Sequence, residues 1–196
     1  MSYSLTTFFI FYFLATGCLF VQAAHQSQAP RQYSKADIEQ IYNELRQSSF
    51  DDISEKSRLV FKKMKIFGMS SPVSLRIYIN IDKINKYQWP EDAVTGLLAH
   101  ELSHMVSYQR RSRLGGMFYL WNYSFSIARE KKVEREADEI AIERGYGKEL
   151  VQERIYQFKG EDTRNIKKQN KIYYHPEDLE GMIDSMKSIR HMNKNE

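Results

Sequence analysis

Hydrophobic and polar positions near the start of the chain follow a helical spacing. Ser34 and Asp37 form a capping pair ahead of an amphipathic stretch, because each side chain can bond the backbone N–H of the other. The apolar positions of this stretch lie three or four residues apart: Ile38, Ile41, Tyr42 and Leu45. A second helix is predicted over residues 51–67, with Gly68 at its end.

The spacing of apolar residues changes after Pro72, where apolar and polar residues alternate as they do along a half-buried strand. The apolar residues of this strand are Leu75, Ile77 and Ile79. Pro90 then suits the first turn of a helix, and Glu91 and Asp92 suit its positive end. The helix is predicted to be buried because it has an apolar surface at helical spacing: Ala93, Val94, Leu97, Leu98, Leu102 and Val106.

Helical spacing continues in the C-terminal half of the chain. Apolar residues recur through residues 133–141, and Gly145 is placed to end that helix. Further helices are predicted over residues 147–158 and 177–186, whereas the tail from Ser188 is expected to be frayed. This order of elements predicts an α+β fold in which several helices surround a small sheet.

The N-terminal segment has the pattern of an export signal. Residues 1–24 carry no charged side chain, and residues 8–14 are a block of aromatic and aliphatic side chains. We interpret residues 1–23 as a cleaved signal peptide, with cutting after Ala23. Two alternatives stay open: a lipoprotein signal in which Cys18 is lipidated, and an uncleaved membrane anchor. All three interpretations predict an exported protein that is secreted, periplasmic or tethered to a membrane.

The remaining chain is long enough for one compact domain. Residues 24–32 are predicted to be a polar linker and residues 33–196 a single domain. Cys18 is the only cysteine, so no disulfide is expected in the domain. The formal net charge of +4 is spread along the chain without basic stripes, which argues against a nucleic-acid partner and is compatible with anionic lipid or cell-wall polymer.

One segment of the predicted buried helix carries a specific chemistry, the five residues HELSH. His100 and His104 are four apart and share a helix face, so both imidazoles can bind one metal ion. Glu101 directly follows the first histidine, which places its carboxylate beside a metal-bound water. This HExxH spacing is typical of zinc hydrolases in which the glutamate is the general base. The alternative is a buried helix with two hydrogen-bonded core histidines.

A catalytic zinc site needs a third protein ligand besides an exchangeable water. Histidines are few in this chain, so a carboxylate is expected, and the acidic helix at residues 133–141 offers Glu134 and Asp138. These two are four apart and point the same way, so one can bind the metal while the other accepts a hydrogen bond from a ligating histidine. Spacing leaves the register open, since Glu130 shares their stripe, and the alternative is a solvated charged helix face.

The pairing of HELSH with EREAD resembles the gluzincin zinc metallopeptidases, in which HExxH is followed on a second helix by ExxxD. The AD ending is most similar to peptidase family M48 (the Ste24 and HtpX type) and to the small soluble minigluzincins. The resemblance implies a zincin-like fold in which His100, His104 and Glu134 bind Zn²⁺. It further implies that Glu101 is the general base and that Asp138 holds a ligating histidine. The ImmA/IrrE-type metallopeptidases, which are typically cytoplasmic, share part of this pattern.

The same resemblance implies roles outside the two helices. Zincins keep a sheet edge ahead of the metal-binding helix, so the resemblance implies that the strand at residues 75–79 is that edge and pairs with an extended substrate. A purely structural strand is the alternative that stays open. Zinc peptidases commonly use a downstream Tyr or His to stabilise the oxyanion, and Tyr174 and His175 are the candidates here.

An aromatic insert separates the two predicted metal helices. Residues 117–123 are strongly apolar and follow a cluster of three arginines and two glycines. The insert is too short to span a membrane. A flap over the site, a substrate-binding surface, an interfacial segment and ordinary buried core all stay open.

The sequence predicts a zinc metalloendopeptidase that acts on peptide or protein substrates as a monomer. The alternative function is a non-catalytic or latent zinc-bound module of the cell envelope. Possible membrane association is assigned to the N-terminus or to residues 117–123.

Overall fold

The computed structural model of the protein describes residues 31–71, 73–111, 126–160 and 163–192. The predictions for the N-terminal segment, for Cys18 and for residues 117–123 lie outside the described residues. The described part is a mixed α+β structure, as predicted, with these elements in chain order: α1 Lys35–Ser48, β1 Arg58–Phe61, β2 Gly68–Ser71, β3 Arg76–Ile79, α2 Ile81–Lys86, α3 Glu91–Gln109, α4 Ile127–Glu143, α5 Gly147–Lys159, α6 Thr163–Ile172 and α7 Pro176–Met192.

Helix α1 begins with the predicted capping box. The Asp37 backbone N–H donates to Ser34 Oγ at 3.3 Å, and the Ser34 backbone N–H donates to the Asp37 carboxylate at 2.7 Å. Two backbone donors that the helix leaves unpaired are thus satisfied. The predicted apolar face of α1 is buried, which confirms this helix: Ile38, Ile41, Tyr42 and Leu45.

The helix predicted over residues 51–67 is wrong. Strand β1 lies within this region, turns and irregular backbone make up the rest of it, and β2 begins at Gly68, where the helix was expected to end. Strand β1 forms because its backbone pairs with a distant segment: Arg58 N donates to Leu75 O at 2.9 Å, and Lys62 N donates to Ile79 O at 3.0 Å. Its apolar run of Leu, Val and Phe suits a half-buried pleated surface, so pairing with β3 outweighs the local helical spacing.

The three strands form one sheet in the order β1-β3-β2. Strand β3 is parallel to β1 and antiparallel to β2. The strand predicted near residues 75–79 exists, but its expected position at the sheet edge is wrong. Ile77 and Ile79 are fully buried and their strand is paired on both sides, as suits the centre of the sheet. The edge beside the long helix α3 is β2.

Helix α3 lies at the centre of the fold, packed against α4 and α5 and against the sheet. It is buried around most of its circumference, as its apolar surface predicted. At Gly96 it comes so close to α5 that an added Cβ would lie 2.2 Å from the carbonyl oxygen of Glu149. Only glycine fits this crossing.

The C-terminal helices follow the sequence with two corrections, the first of which is that helix α6 at Thr163–Ile172 was not predicted. Gly145 has φ +99 and follows Arg144, the C-cap residue of α4, so it lies at the end of that helix as predicted, and α5 starts at Gly147. Helix α7 continues to Met192, so the predicted fraying from Ser188 is wrong for the described residues. Met182, Ile183 and Met186 pack at helical spacing on the core, which holds the helix in place. No described helix has both the length and the apolar character needed to cross a membrane.

Candidate metal centre

Two helices bring three metal-binding side chains to one point. His100 and His104 lie one turn apart on α3, and Glu134 lies on α4, which packs against it. The Nε2 atoms of the histidines are 3.1 Å apart. Glu134 Oε2 lies 3.0 Å from His100 Nε2 and 3.4 Å from His104 Nε2. Within the described part of the chain these three residues form a group able to hold a metal ion.

The spacing of these atoms fits a tetrahedral ion. Zinc binds histidine nitrogen and carboxylate oxygen at about 2.0–2.1 Å, so two ligand atoms of a tetrahedral site are separated by roughly 3.3–3.4 Å. The three observed separations lie close to this value. Three protein ligands leave a fourth position for water or substrate, which distinguishes catalytic from structural zinc sites.

Asp138 fixes the orientation of the first histidine. Its Oδ1 is 2.8 Å from His100 Nδ1, and the Asp138 side chain is fully buried. A donor at Nδ1 leaves Nε2 of the neutral ring free to bind a metal ion. Two imidazoles and a carboxylate face one another in a buried space, which is favourable only with a cation, either a metal ion or a proton, between them.

Contacts in the structure show which acidic residues of helix α4 face α3. Glu130 bonds Lys168, and Glu136 bonds Arg111, so these two carboxylates have partners away from the triad. Glu134 and Asp138 take the two positions that face α3. Glu134 and Asp138 both contact His100, and the alternative of a solvated face does not hold for them because both are buried.

The charges of the triad are strongly coupled. Burial raises the pKa of Glu134, but the charge of His104 and the hydrogen bond from His100 outweigh it and lower this pKa well below its ordinary value. Burial lowers the pKa of His100, but hydrogen bonds with Asp138 and Glu134 outweigh it and raise this pKa well above its ordinary value. The pocket thus favours an anionic carboxylate next to positive charge.

Glu101 is held between α3 and the edge strand β2. Its side chain is buried, and burial raises the pKa of its carboxyl above the ordinary value, although the two histidine charges oppose the rise. Ser70 Oγ is 2.7 Å from Glu101 Oε2 and 2.6 Å from the Glu101 backbone oxygen, so β2 fixes this carboxylate. Gly68 leaves room for it, because an added Cβ there would lie 2.8 Å from Oε1. Sequence reasoning missed Ser70, since nothing local links it to Glu101.

Arg154 is a second residue that sequence reasoning missed. It lies on α5, is 1% exposed, and donates from Nη2 to Asp138 Oδ1 at 2.8 Å. The same Asp138 oxygen therefore accepts from both Arg154 and His100. A signal did exist, because Arg154 occupies a position of the buried stripe that includes Leu150 and Val151. A charged side chain on such a stripe needs a buried partner.

The candidates for oxyanion stabilisation are not brought to the triad. Tyr174 donates its hydroxyl to Glu139 at 3.0 Å, and His175 packs its ring on Phe158, with centroids 5.6 Å apart. No hydrogen bond, ion pair or ring contact joins either side chain to the three ligands among the described residues. The neighbouring Tyr173 is the aromatic residue near the site, since its ring centroid lies 6.2 Å from that of His100.

Comparison of the chain with protein-family models, with curated proteins and with solved structures finds no match. The site combines two imidazole nitrogens and a carboxylate oxygen that could hold one metal ion, a buried carboxylate one residue after the first histidine, and a hydrogen bond between His100 and Asp138.

Proposed function

We propose that the protein is a zinc metallopeptidase of zincin-like architecture that hydrolyses peptide bonds. The observation that carries this proposal is the convergence of His100, His104 and Glu134 within one buried cage, with Glu101 adjacent along α3. Two imidazoles and a carboxylate at tetrahedral separations suit zinc better than the hard oxygen-preferring cations. Zn²⁺ held there would supply a lowered pKa for its bound water and polarisation of the substrate carbonyl.

Glu101 is the proposed general base. The raised pKa of the Glu101 carboxyl lies closer to neutral pH, where the group can both accept and return a proton more readily. Glu101 takes the proton of the attacking water and then delivers it to the leaving amine. Ser70 donates to Oε2, which keeps the carboxylate in one orientation during both transfers. This role makes Ser70 a positioning residue.

Asp138 and Arg154 support the cage without touching the substrate. Asp138 keeps the His100 ring turned and its Nε2 free, and Arg154 holds Asp138 in place from α5. Such partners commonly change metal affinity about 10–100-fold when they are removed.

Peptide is the proposed substrate class because an unpaired strand edge lies next to the base. Strand β2 pairs with β3 on one side only, within the described residues, and its Ser70 contacts Glu101. An extended peptide can add to such an edge through backbone hydrogen bonds, which places a scissile bond over the site. The role that the sequence assigned to the strand at residues 75–79 is thus proposed for β2. The exported location and monomeric state stay predictions from the sequence.

The test compares the purified protein with Glu101→Gln. The variant keeps every metal ligand, so zinc measured by elemental analysis stays stoichiometric while hydrolysis of casein or a peptide library is lost. His104→Ala provides the contrast, because removing a ligand should abolish zinc binding as well. Equal turnover by zinc-loaded Glu101→Gln would refute the mechanism. Stoichiometric zinc without turnover in the unmodified protein would favour the non-catalytic or latent module instead.

A further inference from the structure

Positive charge is concentrated in one segment of the chain. Residues 56–90, which include the whole sheet and α2, contain eight Lys and Arg residues and a single acidic residue, Asp82. Outside this segment acidic residues outnumber basic ones. The expectation that charge is spread along the chain is therefore wrong. The basic residues of the segment are Lys56, Arg58, Lys62, Lys63, Lys65, Arg76, Lys83 and Lys86.

The pleat of the sheet places several of these cations on one face. Ile77 and Ile79 are buried against the helices, so Arg76 and Tyr78 point to the opposite side. Arg58 lies opposite Arg76 in the parallel pair, and Met69 lies opposite Tyr78 in the antiparallel pair. This surface, formed by Arg58, Val60, Met69, Arg76 and Tyr78, is called the outer sheet face below.

The loop between β1 and β2 adds cations beside this face. Lys62 places its Nζ 5.5 Å from the centroid of the Tyr78 ring, and Lys63 and Lys65 are exposed in the same loop. Among the described residues, none of Arg58, Lys62, Lys63, Lys65 and Arg76 forms an ion pair with a carboxylate. Like charges placed side by side repel, and a partner that brings negative charge relieves the repulsion.

Exposed apolar side chains lie in and next to the edge strand β2. Ile66 is 45% exposed, Met69 39% and Val73 67%, and they precede, occupy and follow the edge strand β2. Three of the four large apolar side chains exposed in the described part of the chain are these, and the fourth is Ile127 on α4. A surface that combines aliphatic side chains with unpaired cations suits the boundary between lipid headgroups and acyl chains.

We propose that the outer sheet face, with the loop at residues 62–66, docks on a bilayer that contains anionic lipid. The inference goes beyond the proposed peptidase function and does not depend on it. Nucleic acid fits less well, because single-stranded binding relies on exposed aromatic platforms, and Tyr78 is the aromatic residue of this face and lies under Lys62. Contacts with nucleic-acid phosphates would also leave the apolar side chains of Ile66, Met69 and Val73 without a favourable partner.

Docking in this orientation sets the position of the candidate metal centre relative to the membrane. Ser70 alternates with Met69 along β2, so the strand that presents Met69 to the membrane presents Ser70 to Glu101. The free edge of β2 then lies close to the lipid surface. Polypeptide segments at or near the bilayer would reach the site first.

The first experiment measures binding of the full chain to vesicles. Partition into phosphatidylcholine vesicles is compared with partition into vesicles that also contain phosphatidylglycerol, so that binding through the apolar N-terminal segment appears in both and is subtracted. Each lysine near an anionic surface is worth roughly fivefold in partition, so Lys62→Gln, Lys63→Gln and Lys65→Gln together should reduce the phosphatidylglycerol-dependent partition about 100-fold.

The matched control removes the same charge elsewhere. Lys148, Lys159 and Lys171 are exposed and lie outside residues 56–90, so changing all three to Gln should leave most of the lipid-dependent partition intact. Equal loss in both triple variants would overturn the proposal, because general charge and not this face would then explain the binding. Absence of any phosphatidylglycerol dependence in the unmodified protein would overturn it as well.

A second experiment locates the contact. With Cys18 changed to Ser, a Met69→Cys variant carries a polarity-sensitive fluorophore on the outer sheet face. Its emission should shift to the blue on phosphatidylglycerol vesicles and stay unchanged for a label at Lys148→Cys. A bound protein whose position-69 label does not shift contradicts the docking orientation. Binding to duplex DNA that the loop variant loses, with vesicle binding retained, would assign the face to nucleic acid instead.

Discussion

At the scale of single residues, the chemistry of His100 depends on the groups bonded behind it. Its Nδ1 is paired with Asp138, and the same carboxylate oxygen accepts from the buried Arg154. Glu153, which is also buried, lies beside Arg154 with an N–O separation of 3.7 Å. The imidazole of His100 is therefore held by Asp138, which is held in turn by Arg154.

Replacing Arg154 with Gln should weaken zinc binding about 10–100-fold, as is common for groups that orient a ligand. It should also destabilise the fold by roughly 3–5 kcal/mol, because buried carboxylates lose their countercharge. Competition against a chromophoric chelator measures the affinity, and urea unfolding measures the stability. Arg144→Gln is the control: it breaks the Asp52 pair at 2.7 Å, far along α4 from the ligands, and should leave zinc affinity unchanged.

Tyr33 offers a pH-dependent test of burial. Burial and the charge of Glu91 raise the pKa of Tyr33 to about 12, and its hydroxyl is buried without a hydrogen-bond partner among the described residues. The folded state thus keeps the proton that the unfolded chain releases near pH 10, so this stability is present below pH 10 and is lost as pH rises from about 10 to about 12.

Tyr33→Phe should be as stable as the unmodified protein or slightly more stable at neutral pH, by about 0–1 kcal/mol, because an unpaired hydroxyl is removed. Between pH 10 and 12 its stability should fall less steeply. Denaturant unfolding at a series of pH values checks both statements. If the free energies of unfolding of the two proteins fell equally steeply between pH 10 and 12, the raised pKa of Tyr33 would be contradicted.

At the scale of elements, the approach of α3 to α5 is set by Gly96. An added Cβ would meet the Glu149 carbonyl oxygen, a backbone atom that cannot rotate away. Gly96→Ala should therefore destabilise the protein by about 1–3 kcal/mol or more through overpacking. Gly181→Ala is the matched control on α7, where an added Cβ meets nothing within 4 Å and should stabilise by up to about 1 kcal/mol. Urea midpoints that move the same way in both variants would contradict this account.

The elements also show what local sequence can and cannot predict. Helices α1, α3, α4 and α5 follow from apolar spacing, and α1 also from its capping box, because both signals are local to each helix. Strand β1 cannot be predicted locally, because its pairing with β3, some eighteen residues later, decides it. The order β1-β3-β2 has no local signature either, so the local sequence does not show which strand lies at the edge of the sheet.

The candidate site shows the same difference between residues that local spacing indicates and residues whose roles depend on packing. His100, Glu101 and His104 are adjacent on one helix, and the spacing of Glu134 and Asp138 places them together on another, so the sequence indicated all five. Ser70 and Arg154 come from β2 and α5, and their roles depend on how those elements pack around α3. Tyr174 was chosen on resemblance, and its hydroxyl bonds Glu139 on α4.

At the scale of the whole molecule, the ion is expected to add stability to a domain that already has a core. Zinc at 100 times its dissociation constant contributes about 2.7 kcal/mol to the folded state. Chelation should therefore lower Tm without loss of the far-ultraviolet helical signal, since the helices bury an apolar core of their own. His104→Ala should have the lower Tm already and should not respond to chelator. Complete unfolding on chelation would show that the ion is needed for folding.

The bond chain Arg154–Asp138–His100 joins α5, α4 and α3 at one point. The polypeptide itself therefore braces the imidazole of His100. We expect the backbone to be the same before and after chelation, so that metal loading would change the chemistry of the site and not the shape of the protein.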